Sequence, residues 1–452
     1  MLETSVSDPQ PSKAPRTPES PQQPQPQPQQ PQPQPQPPQP QSKRQSQQLP
    51  SQRTSTRGNN LDDVRRNNLS AVLRLVHTRG SISRAQLTAE TGLNRSTIGA
   101  LVGELVALEL VDEAEPDTAG HVGRPSLVIV PGRKVVSLAV NPELDAVTIG
   151  LVALGGQVIK RIRFETLRVP SAEEVVNIVS AVVAGMRDEL DASYRTVGVG
   201  LAVPGLVRAS DGLVQLAPHL DWRDEPLAEM LQQALGMPVF AANDAAAGAL
   251  AEHIFGAGAG IRNLVYLNGG ASGIGGGVVS NGTLLTGENG YAGELGHTLV
   301  NTNGARCHCG SSGCLETEVR RGPLLDAVGL TDARAEELDA VLLERFADPE
   351  HLDPALRELV EAQADFLAIT IRNAVNVFNP SLIVLGGFLG SVSAVVSDRL
   401  EQAVSRSVMF GSREPVRIAR SSLGADLLVV GAAELAFAPV LRDPAGSMVP
   451  VA

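Results

Sequence analysis

The chain has 452 residues, 42% hydrophobic and 19% charged, enough apolar material for two to four cores at roughly 100–200 residues per domain. A net charge of −12 excludes a wholly basic nucleic-acid coat and a polybasic membrane binder. Three cysteines leave at least one unpaired under any disulfide scheme, which argues against a secreted disulfide scaffold. Met1-Leu2-Glu3-Thr4 lacks the charged and apolar regions of a signal peptide, and no run approaches the ~18 apolar residues of a membrane span. A soluble, cytoplasmic, multidomain protein is expected.

Residues 21–41 consist only of Pro and Gln, and the sequence to about Asn60 is dominated by Ser, Gln, Pro and Arg. So few apolar side chains cannot offset the entropy of ordering, so 1–60 is predicted to be a disordered Pro/Gln-rich tail. Six Lys/Arg against three Asp/Glu make it mildly basic. It reads as a solvated spacer rather than a DNA-clamping arm.

From Leu61 the pattern changes. Leu69, Val72, Leu73 and Val76 recur at i, i+3, i+4, i+7, predicting a helix that ends near Gly80. Ser83-Arg84-Ala85-Gln86 is a capping box opening a short helix with Ala85 and Leu87. Thr91-Gly92-Leu93 is a tight turn, and Asn94 caps a third helix with Ile98, Leu101, Val102 and Leu105 on one face. Two helices around such a turn form a helix-turn-helix. Leu110–Val130 reads as two short strands around a polar loop, 113–126, a wing that carries Gly123-Arg124-Pro125. Six Arg against three acids between 61 and 103 give a local +3 in an acidic chain, where a polyanion would dock. This favours a winged helix-turn-helix over an unrelated three-helix bundle. Asn94, Arg95, Ser96 and Thr97 start the helix whose beginning reaches base edges. Arg84 is placed for a phosphate and Arg124 for a minor groove.

Past Gly132 the pattern is α/β. Strands are predicted at Val135–Val140, Ala146–Ala153, Val197–Val203, Val239–Ala241, Leu264–Leu267, Gly277–Ser280 and Leu382–Leu385. Helices are predicted at Ala172–Asp191, at Pro226–Leu235 and from about Leu356 to Val377. Gly155-Gly156, Gly269-Gly270 and Gly386-Gly387 end or follow strands, where ligands of α/β sheets bind. There is no Gly-Lys-Ser/Thr, and Gly269–Gly277 fits G-x-G-x-x-G in no register. A backbone-amide cradle for an anion remains open there.

All three cysteines fall within Cys307-His308-Cys309-Gly310-Ser311-Ser312-Gly313-Cys314. The glycines permit a tight loop on which three thiolates converge. Zn²⁺ takes four N or S ligands, so a fourth comes from elsewhere. His297, in Glu294-Leu295-Gly296-His297, is the natural supplier and His308 its competitor. Four protein ligands would make the zinc structural.

In this combination the residues resemble the ROK family, named for repressors, open reading frames and sugar kinases. The resemblance covers about 61–437. Ile82-Ser83-Arg84-Ala85, Thr91-Gly92-Leu93 and Gly123-Arg124-Pro125 are similar to its repressor branch, and Cys307 to Glu316 is similar to its zinc motif. The fold so implied is α/β, a two-lobed actin-like, ribonuclease-H-like ATPase scaffold preceded here by the winged helix-turn-helix and the tail. Expected boundaries are 61–132 for the DNA-binding domain, 133–241 for the N-terminal lobe, 242–437 for the C-terminal lobe with zinc, and 438–452 for a C-terminal tail. The resemblance implies zinc on His297, Cys307, Cys309 and Cys314. It also implies a sugar site of Gly205, Asn243, Asp244, Glu294, His297 and Glu316, with Asp244 the catalytic base of the kinases. Such carboxylates and amides suit a sugar, because every hydroxyl both donates and accepts.

Phosphoryl transfer needs further parts. Ala271-Ser272-Gly273-Ile274-Gly275 resembles the family's second phosphate loop, and Ile383-Val384-Leu385-Gly386-Gly387 its adenosine segment. The first phosphate hairpin departs: an Asp followed by Gly-Gly-Thr is replaced by Leu138-Ala139-Val140-Asn141-Pro142-Glu143-Leu144. Ala139 offers Mg²⁺ no ligand, Pro142 lacks an amide, and Glu143 repels phosphate. The expected protein is therefore a sugar-responsive regulator, a repressor of carbohydrate-metabolism genes, and not an enzyme. It is expected to be cytoplasmic and nucleoid-associated, a homodimer or homotetramer on double-stranded operator DNA. An active sugar kinase with an appended DNA module and a partner-controlled scaffold are the competing readings.

Overall fold

The computed structural model describes residues 61–115, 127–331, 335–407 and 416–448. The predicted tail 1–60 and the wing tip with Arg124 lie outside the described residues.

The first domain comprises α1 (Leu61–Arg79), β1 (Ile82–Ser83), α2 (Arg84–Thr91), α3 (Arg95–Ala107), β2 (Val111–Ala114) and β3 (Val128–Pro131). Ser83 and Gln86 exchange the two hydrogen bonds of a capping box at the start of α2. Gly92 ends that helix at φ +71°, a left-handed turn in which a Cβ is strained. The Asn94 side chain accepts the Thr97 amide at 2.9 Å and starts α3. The wing sheet has three strands, in the order β1-β3-β2. Its two-residue β1 is too short to register as an alternation.

Two five-stranded sheets follow, and they define the two lobes of an actin-like, ribonuclease-H-like fold. In the first, β4 (Val135–Pro142), β5 (Ala146–Ala153) and β6 (Gln157–Glu165) form an antiparallel meander. Two helices, α4 (Ala172–Gly185) and α5 (Arg187–Ser193), lead to β7 (Arg195–Val203), parallel to β4. The helix predicted as one piece across 172–191 breaks at Met186, just after Gly185. A small sheet of β8 (Leu206–Val207), β9 (Val214–Ala217) and β10 (Trp222–Glu225) precedes α6 (Leu227–Leu235). Then β11 (Val239–Asn243) completes the order β11-β7-β4-β5-β6.

Helix α7 (Asp244–Ile254) leads into the second sheet, ordered β14-β13-β12-β15-β16. Its strands are β12 (Leu264–Gly270), β13 (Gly273–Ser280), β14 (Thr283–Leu284), β15 (Leu382–Gly387) and β16 (Arg417–Arg420). Between β14 and β15 run α8 (Leu315–Glu318), α9 (Arg321–Val328), α10 (Ala335–Phe346) and α11 (Pro354–Phe378). After β15 comes α12 (Phe388–Ser407), and the chain closes with α13 (Leu427–Arg442) and α14 (Pro444–Ser447).

Residues 424–442, mostly α13, are long and apolar enough to cross a membrane, contrary to the expectation that no run is. The reason is burial against several elements: α13 is wedged against β4, β7 and α7, and a helix packed on more than one side has little use for a polar face. The expected C-terminal tail is also helical as far as it is described. Val440, Leu441 and Met448 are buried in the same cluster as Leu69, Val72 and Leu73 of α1, and Ser70 Oγ donates to the Leu441 carbonyl at 2.6 Å. One hydrophobic cluster runs from Leu73 and Leu105 through Ala139 and Val152 to Ala202, Ala247 and Phe437. The winged helix thus shares a core with the first lobe.

Candidate sugar cleft and metal cluster

A cavity of about 480 Å³ opens at the ends of both large sheets, within the ordinary size range of small-molecule sites. Its wall brings together Gly205, Asn243, Asp244, Glu294, His297 and Glu316, all six residues of the sequence-derived sugar set. Asn243 ends β11. Its Nδ2 donates to the Gly205 carbonyl at 3.0 Å while its Oδ1 accepts the Ala246 amide at 3.0 Å. It is therefore a helix cap as well as a cleft residue. Gly205 has φ +147°, and a Cβ there would lie 2.4 Å from the Leu216 carbonyl oxygen, so no other residue fits this approach.

Asp244 opens α7 and accepts the Ala245 amide at 2.8 Å. Burial pushes its carboxyl up to about 6, against the opposing pull of backbone amides. Glu294 precedes a short turn, Leu295–His297. Burial, then the charges of Asp244 and Glu316, push it up to about 7. Two carboxyl groups raised toward neutrality in one cleft make it the candidate functional site.

A cluster of His297, Cys307, Cys309 and Cys314 that could hold a metal ion borders the cleft. His297 Nδ1 lies 3.6 Å from Cys307 Sγ, and Cys309 Sγ lies 3.7 Å from Cys314 Sγ. All four donor atoms fall within 4.8 Å of one another. Tetrahedral zinc, with bonds of about 2.3 Å to sulfur and 2.0–2.1 Å to nitrogen, separates S from S by about 3.8 Å and S from N by about 3.6 Å. The donor set and its spacing fit zinc, whereas a disulfide needs about 2.05 Å between sulfurs. His308 Nδ1 lies 3.1 Å from Glu316 Oε1. A second grouping of His297, Cys307, His308 and Glu316 is equally compact, but its Glu316 Oε1 accepts from Cys307 Sγ at 3.0 Å. The His297 ring bridges the two sites, since its Nε2 turns to Glu294 at 4.0 Å.

The first hairpin needs a correction. Ala139 is fully buried in the core of β4 and does not reach the cleft. The β4 residue that does is Asn141, followed by Pro142, Glu143, Leu144 and Asp145 in the turn to β5. Ala139 and Asn141 share one face of β4, because side chains alternate with a period of two. The cleft opens only at the end of the strand, where Asn141 stands, so the position reaching it was misplaced by two residues along the strand. His219 was missed altogether. It lies in the Pro218–Leu220 turn, its ring 5.3 Å from that of His308, and burial followed by the neighbouring His308 lowers its pKa. A lone histidine outside any motif gives no sequence signal.

On the winged helix, Arg95 is exposed at the start of α3. Asn94 and Ser96 are engaged with each other, Ser96 Oγ donating to Asn94 Oδ1 at 2.7 Å, and Thr97 is half-buried. Arg84 forms an ion pair with Glu113 on β2, so it meets a phosphate only by leaving that partner.

A two-lobed scaffold with this cleft and cysteine loop defines a class, and residues 143–438 match the model of the ROK family, to which the chain belongs. The "Putative xylose repressor" of Caldicellulosiruptor sp. (strain Rt8B.4) is 29% identical, the match covering 84% of this chain and 98% of that protein. The "Glucokinase" of Thermotoga maritima is 31% identical over 64% of this chain and 93% of its own. Among solved structures, a ROK family transcriptional regulator described as a homologue of the E. coli MLC protein aligns with a TM-score of 0.69 and 26% identity. It covers 85% of this chain and 99% of its own.

Proposed function

We propose that this protein is a DNA-binding transcriptional regulator, a repressor of carbohydrate-metabolism genes, whose kinase-like scaffold senses an uncharged sugar. The observation that carries the reading is the joining of a winged helix, through one shared core, to a cleft lined by Asn243, Asp244, Glu294 and Glu316. The cleft also holds Glu143 and Asp145 and no Lys or Arg among its lining residues. Such a wall suits neutral hydroxyls and repels a phosphate, so the effector is a sugar rather than a sugar phosphate. Arg95, Ser96 and Thr97 with Asn94, supported by Arg84 and Arg124, would contact operator DNA, the protein acting as a symmetric oligomer on paired half-sites.

Zinc on His297, Cys307, Cys309 and Cys314 would be structural. It would fix the loop that carries His308 and Glu316 and orient the His297 ring toward the cleft. Lobe closure on the sugar would alter the pose of the winged helix, and a ~100-fold change in operator affinity needs only about 2.7 kcal/mol of coupling.

Kinase activity is the second reading. The observation that favours it is the glycine-rich segment 270–275, which lines the cleft together with Asp244. Against it stand Pro142, Glu143 and Asp145 in the first hairpin, which offer a phosphate one amide fewer and two negative charges. Operator binding with and without sugars and sugar phosphates tests the regulator. Specific binding shifted by a free sugar and by no phosphate supports it. ATP-dependent phosphorylation of a sugar, abolished by Asp244→Asn, would replace it with the kinase.

A further inference from the structure

The cleft and the DNA-binding domain meet at the two ends of one helix. α7 begins with Asp244 in the cleft and ends at Ile254, immediately before Phe255. At 1.5 Å per residue it spans about 16 Å. At its far end the Phe255 ring lies edge-on to the imidazole of His77, centroids 5.2 Å apart. His77 stands in the last turn of α1 and is 1% exposed. The Gly155 amide, in the turn between β5 and β6, donates to His77 Nδ1 at 2.9 Å. On the other side His77 Nε2 faces both carboxylate oxygens of Glu434 on α13, at 3.0 and 3.1 Å. An amide on Nδ1 leaves the ring proton on Nε2, so His77 is a fixed donor to Glu434. Phe437 closes the remaining side, centroids 6.0 Å apart. Three separate elements of the two-lobed body, the end of α7, the β5–β6 turn and α13, converge on this one side chain of the winged helix.

Between its ends α7 is gripped backbone to backbone. A Cβ on Gly431 of α13 would lie 2.2 Å from the Ala247 carbonyl oxygen, and one on Gly277 of β13 would lie 2.5 Å from Ala249 Cβ. Packing this close leaves no side-chain slack to absorb a displacement, so the helix moves as a unit. Sugar hydroxyls at Asp244 act directly on its first residue.

We infer that His77 and Phe255 are the positioning residues that couple occupancy of the cleft to the pose of the winged helix. A shift of α7 that starts at Asp244 reaches α1 through the contact of the Phe255 ring with His77. Neither residue lines the cleft, and His77 is buried away from any DNA. The inference rests on the regulator reading above.

The test uses the full chain, DNA from upstream of its own gene, and saturating D-xylose, D-glucose or N-acetyl-D-glucosamine. Phe255→Leu keeps an apolar side chain but removes the ring, and His77→Gln keeps a donor and an acceptor but removes the edge contact. Both variants are expected to hold the sugar Kd and the sugar-free operator Kd within about threefold of wild type. The sugar-induced change in operator Kd is expected to shrink at least fivefold. A merely structural role would move the separate affinities or the unfolding midpoint and leave their coupling intact. If the folded Phe255→Leu variant responds to sugar as fully as the wild type, the inference is overturned and the regulator reading stands. A wild-type operator affinity that no sugar moves overturns both.

Discussion

Asn243 is tied to Gly205 by a 3.0 Å hydrogen bond from its side-chain amide to the glycine carbonyl. The same side chain caps α7, so the loop after β7 and the start of the helix are held by one residue. Two substitutions separate its duties. Asn243→Asp keeps a capping oxygen but loses the donor to Gly205, and it places a second carboxylate beside Asp244. Asn243→Ala loses both. The Ala variant is expected to lose about 1–2 kcal/mol in denaturant unfolding, the Asp variant less. Both are expected to weaken sugar binding at least tenfold by calorimetry. An Ala variant as stable as wild type would remove the capping role from the argument.

The carboxyl groups of the cleft set opposite pH dependences for binding and for stability. Asp244 near 6 and Glu294 near 7 hold their protons more tightly than in the unfolded chain, where both titrate close to 4. Their contribution to stability is present below about pH 4 and is lost as pH rises through 6 and 7. If the proposed sugar site is right, sugar hydroxyls are recognised by the ionised groups, so affinity should run the other way and fall at least tenfold between pH 8 and pH 5. Glu294→Gln should flatten the part of the binding profile near 7 and leave the part near 6. Calorimetric titration across that range, beside denaturant unfolding of the sugar-free protein, reads both trends.

The cysteine loop predicts a stoichiometry. With four donors within 4.8 Å of one another and two of their separations at 3.6 and 3.7 Å, the purified protein is expected to carry about one zinc per chain, measured by mass spectrometry of the metal. Cys309→Ser is expected to bring that close to zero, although Cys309 is exposed and packs little. Because the His297 ring spans cluster and cleft, the same variant should lose about tenfold or more in sugar affinity. Full metal content in the Ser variant would point to the alternative grouping with His308 and Glu316.

Much of this was legible in the sequence, for physical reasons that differ by element. The winged helix announces itself because its caps are local: Ser83 with Gln86, Gly92, and Asn94 each do their work within three residues. The cleft was legible because its side chains sit in short motifs at strand ends, as Asn243-Asp244 does after β11. The edge strand β6 was not, since Lys160, Arg161 and Arg163 break up its apolar pattern with charges. Nor was α13, whose sequence lacks a polar face because β4, β7 and α7 pack against it. Ala139 was misplaced because the sequence does not show where along β4 the core ends and the cleft begins; Asn141, on the same face nearer the strand's end, is the residue that reaches it. The His77–Glu434 pair, 357 positions apart, had no local signature at all.

The winged helix predicts two kinds of arginine. Arg95 is exposed at the start of α3, where a side chain meets base edges, so Arg95→Ala should cost about 1–3 kcal/mol on the operator and relax specificity at one base position. Arg84 is different, because it begins in an ion pair with Glu113 whose side chains are 46% and 30% exposed. An exposed pair of this kind is worth about 0–1 kcal/mol, a small barrier to a phosphate that also draws on the amide end of α2. Arg84→Ala should therefore weaken binding evenly across sequences and lower the slope of log K against log salt by about one. Glu113→Gln releases Arg84 and removes a negative charge, so it should tighten binding to operator and random DNA alike. Fluorescence anisotropy with matched and scrambled duplexes over a salt series distinguishes the three. Equal loss of operator and random-sequence affinity in Arg95→Ala would assign that residue to the backbone and leave base reading to Ser96 and Thr97.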